Sequence, residues 1–325
     1  MIKEKNVKIQ ILRAIAIIGV VLIHTCPSGK WQIFVRPFIN FAVPIFIFLS
    51  GYLTKIDTTD WKTFYKKRII RVLIPYFIWT ILYTTADSIG SGLDFKKYIV
   101  NLLTTKAATS LYYIFVYIQL VILTPFLCKL AKSKYKWTGL LIGPIGAIIK
   151  YVLFLSGIES NKYVASLWYV CCLGWITYYY LGLLLGNKII NKKIRINKLV
   201  IFYTFSIIIQ MIEGYIWYRF EEPKCGTQIK LSTILTSSIF ILMSYWYLNN
   251  KNFKFTNKVL VKIGDYSFGI YLSHLMILRI LQKIPFYSHI PFVLNSFILL
   301  TLTIICVFIG NKICGKKISK WLGLN

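Results

Sequence analysis

Acidic residues are scarce: 10 Asp and Glu stand against 39 Lys and Arg, for a formal net charge of +29. Charge of either sign is thin too, at 15% of 325 residues, against 57% hydrophobic and 17% aromatic. That balance excludes an ordinary soluble domain of this length. The seven cysteines are odd in number and show neither a CxxC pair nor metal-ligand spacing, which excludes a disulfide framework and a zinc site. We expect no metal. No Pro-, Gly- or Ser-rich linker and no internal repeat is present, so residues 1–325 read as a single membrane-embedded domain. No small-residue cleavage site follows the short basic lead from Lys3 to Lys8, and Arg13 and His24 interrupt the apolar run behind it. A cleaved leader is therefore not expected. Nucleic acid is excluded as a partner despite the charge, because the basic residues sit between apolar runs instead of alternating with aromatics on an exposed face.

What is present is a series of apolar windows, at about residues 9–26, 33–53, 69–86, 111–130, 137–156, 164–185, 199–218, 231–248, 264–281 and 290–309. Each is near the roughly 20 residues that a helix needs to cross a bilayer core. The basic residues between them sort into alternating connectors. Lys3, Lys5 and Lys8, then Lys55 to Arg71, Lys129 to Lys136, Lys188 to Lys198, Lys251 to Lys262 and Lys312 to Lys320 place 26 on one side; ten fall on the other and three lie within windows. Cytoplasmic loops hold the excess of Lys and Arg. The expected fold class is therefore all-α: a polytopic membrane protein of about ten transmembrane helices, with both termini in the cytoplasm. No pair of broken helices at matching positions is legible, which weighs against a secondary transporter.

Ionisable groups inside a bilayer are costly and mark function by default. Arg13 and His24 share the first window. At about 100° per residue they return to the same face, separated by about 16 Å of rise, with Arg13 toward the cytoplasm. Arg13 either snorkels to headgroups or binds an anion. Glu213, near the outer end of the seventh window, is a second carboxylate placed to orient His24 or a sugar. His274 lies within the ninth window, either as a core histidine or as a group that orients a substrate. Asp265 reads as the cap or first-turn acid of that helix, and Arg36 and Arg279 read as outer-face anchors or anion ligands.

Four segments resemble the type 3 acyltransferases, multi-pass proteins that modify cell-surface polysaccharides. They are RAIAIIGVVLIH (Arg13 to His24), VPIFIFLSGYL (Val43 to Leu53, with Ser50 and Gly51), FYKKRIIRVLIPYFIW (with Arg68, Arg71 and Pro75) and IGDYSFGIYLSHLMI (with His274). They occur in the family's order over most of the chain. Ala14 replaces a common glycine, and Tyr112 and Tyr113 replace an aromatic pair containing tryptophan; neither change removes a reactive group. No hydrolase-like domain follows the last window, so the chain is expected to act alone or to pass its acyl group to a separate extracytoplasmic transferase.

The resemblance implies transfer of an acyl group, with acetyl as first choice, from cytosolic acyl-CoA (acetyl-CoA) to a hydroxyl of a cell-envelope glycan or its lipid-linked precursor at the plasma membrane. Histidine titrates near operating pH, and His24 is the expected base. Arginine binds phosphate by charge-assisted forks, so Arg13, Arg68 and Arg71, with Ser50, are placed on the donor side. The rivals are a permease or exporter of a small metabolite or polysaccharide, and the same fold transferring succinyl.

Overall fold

With no water in the hydrocarbon core, every backbone N–H and C=O of an apolar run must pair within its own segment, and helices do this. A computed structural model describes residues 6–89, 92, 94–190, 194–250 and 258–324. Among them there is no strand. The helices are, in chain order, α1 (Val7–Thr25), α2 (Lys30–Val35), α3 (Ala42–Tyr52), α4 (Trp61–Ala86), α5 (Phe95–Thr104), α6 (Tyr112–Lys132) and α7 (Ile142–Leu155). They continue as α8 (Lys162–Tyr169), α9 (Ile176–Gly186), α10 (Ile196–Phe220), α11 (Leu231–Asn250), α12 (Lys258–Asp265), α13 (Ser267–Leu281) and α14 (Phe292–Trp321). Nine helical stretches among the described residues are long and apolar enough to cross a membrane, and the shorter α13 stands at the remaining apolar window. The chain is thus an all-α polytopic membrane protein. Lys3, Lys5, Lys192, Lys193, Lys251 and Lys254, counted above on the cytoplasmic side, lie outside the described residues.

Three details differ from the sequence reading. The second and sixth spans, Lys30–Tyr52 and Lys162–Gly186, are each interrupted. In the second, α2 runs into a 3-10 turn at Arg36–Phe38 and α3 starts only at Ala42; in the sixth, Val170 to Trp175 separate α8 from α9. Mean hydropathy stays high across both spans, although Arg36, Pro37 and Asn40 stand in the first break and Gly174 in the second. Second, α4 starts at Trp61, where Asp60 caps it by accepting the Thr63 N–H at 3.0 Å. Its basic residues therefore ride on the helix and not in a loop. Third, Asp265 is the last residue of α12, and the residue preceding α13 is Tyr266.

The described residues gather into two compact units, each assembled from separated stretches. The first (1–57, 123–159, 172–264) is built on α1–α3, α7 and α9–α11. Its centre is α3 against α9. A Cβ on Gly51 would stand 1.9 Å from the Tyr179 carbonyl oxygen, one on Gly182 2.1 Å from that of Phe48, and one on Gly186 2.1 Å from that of Tyr52. Only glycine lets the two backbones touch, in the small-xxx-small manner of membrane helices. Tyr178, Tyr179 and Tyr180 are fully buried, so they pack the core and form no interface belt. The Tyr179 hydroxyl bonds both Thr54 at 3.1 Å and Thr124 at 2.8 Å. α1 joins through Gly19, whose Cβ would stand 2.9 Å from that of Ala42.

Contacts in this unit sort its connectors into two ends. At one, Lys8 bonds Asn249, Lys132 pairs with Asp57 at 2.7 Å, and Asn187 donates to the Thr54 carbonyl. At the other, Arg36 reaches the carbonyls of Ile23 and Gly226, and Lys224 pairs with Glu159 at 2.7 Å. Connectors that the charge count assigns to one side therefore meet one another.

The second unit (58–122, 160–171, 265–325) is built on α4, α5, α8, α13 and α14. Tyr83 of α4 is fully buried; its hydroxyl donates to the Leu272 carbonyl at 2.8 Å and accepts the Met276 N–H at 3.0 Å. Arg279 of α13 forks onto Asp87 at 2.8 and 2.9 Å and donates to the Ala107 carbonyl at 2.7 Å. Trp79 donates to the Leu322 carbonyl at 2.9 Å, which ties the end of α14 to α4.

Candidate active site

Arg13 and His24 stand on one uninterrupted helix, both half-buried, with His24 in its last turn. α1 stops at Cys26 because Pro27 follows and Gly29 takes a φ of +71°, a left-handed conformation that glycine adopts without strain. The turn sends α2 back toward the end of α1. Arg36, at the close of α2, donates to the Ile23 carbonyl at 3.3 Å and to the Gly226 carbonyl at 2.9 Å. A guanidinium thus sits on the carbonyl next to His24, where the negative end of the helix dipole favours a cation. Arg36 reads here as an anchor of the connector at 221–230.

That connector is fixed from three sides. Cys225 points its thiol at the Gly29 carbonyl, 3.7 Å away. Gln228 donates to the Asn40 carbonyl in the break of the second span at 3.4 Å. Lys230, only 2% exposed, donates to the Cys225 carbonyl. Burial raises the pKa of both the Cys26 and Cys225 thiols, which disfavours the thiolate and argues against either as a nucleophile.

Glu213 of α10 lies in the same end of the unit. The Tyr151 hydroxyl donates to one carboxylate oxygen and the Ser232 N–H to the other at 2.9 Å, while the Leu231 N–H donates to the Tyr151 oxygen at 3.0 Å. The carboxylate satisfies the Ser232 amide and the Tyr151 oxygen the Leu231 amide, both otherwise orphaned at the start of α11, and the carboxylate meets the positive end of its dipole.

Burial pushes the Lys230 ammonium down to about 8 from 10.5, with Glu213 pulling the other way. Between those two pH values the unfolded chain holds the proton and the folded protein has released it, so stability rises with pH across the window. Below about 8 the full cost of a buried charge applies, of the order of 3 kcal/mol. In detergent-solubilised protein, Lys230→Met should flatten the rise in thermal midpoint between pH 7.5 and 10. An unchanged slope would place the titration elsewhere.

Ser50 lies near the end of α3, half-buried, and its carbonyl accepts the Thr54 hydroxyl at 2.9 Å. The first unit therefore holds Arg13, His24, Ser50 and Glu213; Arg68, Arg71 and His274 belong to the second. Arg68 lies over the Phe64 ring, 4.8 Å from its centre, and Arg71 is exposed one turn along α4. His274 is fully buried in α13, with Nδ1 3.0 Å from the Ile270 carbonyl. A carbonyl only accepts, so Nδ1 carries the proton in this arrangement. The Tyr83 bonds to Leu272 and Met276 bracket His274, and neither the tyrosine nor its bonds are legible in sequence. Tyr83→Phe leaves the Met276 and Leu272 groups to each other and removes a buried cross-helix tie. We expect a loss of about 1 kcal/mol in apparent stability, read as a lower thermal midpoint. An unchanged midpoint would show the tie to be neutral.

Comparison with known proteins gives the arrangement its context. Two relatives, each called "Probable poly-beta-1,6-N-acetyl-D-glucosamine export protein", from Staphylococcus aureus strains MRSA252 and N315, are 24% identical over 259 residues, 76% of this chain and 71% of theirs. No solved structure matches the chain. The family described as "Acyltransferase domain", the type 3 acyltransferases, matches residues 6–312, which takes in the Arg13 to His24 motif and both units. This chain therefore belongs to the type 3 acyltransferase family.

Proposed function

We propose that the protein moves an acyl group, acetyl in the first instance, from cytosolic acyl-CoA to a hydroxyl of a cell-envelope glycan or its lipid-linked precursor at the plasma membrane. The observation that carries the reading is α1 itself. One unbroken helix holds Arg13 toward the basic end of the first unit and His24 at the end where Arg36, Lys230 and Glu213 meet. A phosphate-bearing donor is attracted to the first end. His24 takes the proton from the acceptor hydroxyl at the second, as the oxygen attacks the thioester carbonyl; the C–S bond then breaks and the same proton passes from His24 to the departing thiolate, which leaves as the thiol of coenzyme A. Arg68 and Arg71 are assigned to the donor phosphates, Ser50 to the donor side, and His274 to orienting the donor carbonyl or the acceptor. Glu213 acts by fixing the start of α11 near the acceptor end. No metal enters the reading.

The relatives' printed name suggests a glycan of N-acetylglucosamine as acceptor, and also a second reading as an exporter. The interrupted second and sixth spans, packed on each other through α3 and α9, favour that rival, because broken helices line transport sites in many carriers. Purified protein given acetyl-CoA and N-acetylglucosamine oligosaccharides separates the two. Thioester consumption that requires the oligosaccharide supports transfer. Movement of the oligosaccharide across a proteoliposome without thioester consumption would replace it with export.

A further inference from the structure

We infer that the turn at residues 312–324 is a binding surface for the anionic phospholipid headgroups of the cytoplasmic leaflet. α14 does not run straight to its end, because Gly315 takes a φ of 66° and a ψ of 169°, outside the helical region. Beyond it the Ser319 hydroxyl donates to the Asn311 carbonyl at 3.1 Å, and the Asn311 amide donates to the Leu324 carbonyl at 3.2 Å. In a straight helix Asn311 and Leu324 would stand about 20 Å apart. The chain therefore doubles back on α14.

The inner side of the turn is locked into the second unit. A Cβ on Gly269 of α13 would stand 3.1 Å from the Leu324 Cα, and one on Gly323 would stand 2.9 Å from the Phe268 ring. Ser319 is fully buried, and the Leu322 carbonyl receives the indole N–H of Trp79 from within the span formed by α4. A turn tied in this way stays at the edge of the helices that cross the bilayer. It also needs no ordering before it binds, which removes one of the usual costs of association.

The outer side is basic and apolar at once. Lys312, Lys316, Lys317 and Lys320 are exposed, none of them pairs with a carboxylate among the described residues, and no Asp or Glu occurs between Asp265 and Asn325. Ile313, Ile318 and Trp321 are exposed beside them, and the Lys317 ammonium lies 5.5 Å from the centre of the Trp321 ring. Water solvates the ammonium groups but not the apolar side chains, and lipid tails do the reverse. The headgroup boundary satisfies both. The charge count puts this end of α14 on the cytoplasmic side, where the leaflet carries anionic lipids and each nearby lysine adds about fivefold in affinity. A soluble acidic protein would have to displace lipid from a turn bonded into the bundle, so the occupant is lipid. This surface does not depend on the acyltransferase reading.

The test is lipid retention by the full chain in mild detergent, offered phosphatidylglycerol or phosphatidylcholine with identical acyl chains and read by native mass spectrometry. Wild type should hold phosphatidylglycerol at least about tenfold more tightly. Replacing all four lysines, as Lys312→Gln, Lys316→Gln, Lys317→Gln and Lys320→Gln, should abolish that preference. Replacing the same four with Arg should keep it, which separates lost charge from lost fold. A second basic connector on the same side serves as the control: Lys129→Gln, Lys132→Gln, Lys134→Gln and Lys136→Gln together should leave most of the preference in place. Equal retention of the two lipids by wild type, an equal loss in the control, or failure of the arginine variant to bind would each overturn the surface. Displacement of phosphatidylglycerol by inorganic phosphate or by coenzyme A would overturn it too, by making the ligand a soluble anion.

Discussion

His24→Ala is expected to lower acyl transfer to glycan by between about a hundredfold and ten-thousandfold, with little change in the amount of folded protein. The size of the effect follows from the role. A base in contact with the acceptor hydroxyl acts in the transition state, so its loss lowers kcat together with kcat/KM. The limited effect on folding follows from position: His24 is half-buried in the last turn of α1, and Arg36 and the connector at 221–230 also hold this end. Arg13→Ala, at the other end of the same helix, should instead raise the KM for acyl-CoA more than it lowers kcat. Initial rates against both substrates separate the two patterns. Rates within about threefold of wild type for His24→Ala would remove it from the chemistry.

The second large effect is structural. Gly182→Ala adds one methyl group at a point 2.1 Å from the Phe48 carbonyl oxygen and 2.8 Å from the Tyr52 nitrogen. Both obstacles are backbone, so no side chain can rotate away. α3 and α9 must separate, which loosens the packing of Tyr178 and Tyr179 and the bond from Tyr179 to Thr54. Overpacking in a close-packed core costs about 1–3 kcal/mol, more when main chain must shift, and the upper end applies here. The expected result is a thermal midpoint in detergent lower by many degrees, with much of the protein eluting as aggregate. A midpoint within a degree or two of wild type would mean that the two helices do not meet as described.

The ten apolar stretches were legible because lipid leaves a chain few options, and hydropathy reads this directly. The sorting of basic residues anticipated which connectors meet within the first unit, as Lys8 with Asn249 and Arg36 with Gly226 show. The breaks in the second and sixth spans were not legible. Ile39 and Phe41 in one, and Val170, Cys171 and Cys172 in the other, are as apolar as helix interior, so hydropathy averages across the breaks and over Pro37, Asn40 and Gly174 within them. In the candidate site, Arg13 and His24 stood out because charge inside an apolar window is rare. Lys230, Tyr151 and Tyr83 did not. Lys230 and Tyr151 look like connector and belt residues until the fold joins Tyr151 to Glu213, 62 residues away, and buries Lys230 beneath Cys225. Tyr83 meets α13 across 189 residues, a distance over which periodicity carries no information.

The central claim is that one helix links a cytosolic donor to an acceptor on the opposite face, and its most direct test is sidedness. Protein reconstituted in one orientation would receive labelled acetyl-CoA on the side of its N-terminus, with a membrane-impermeant glucosamine oligosaccharide on the other. Label should enter the oligosaccharide across the bilayer in wild type and not in His24→Ala. Label that appears only when donor and acceptor share a side, or equally with His24→Ala, would contradict the account.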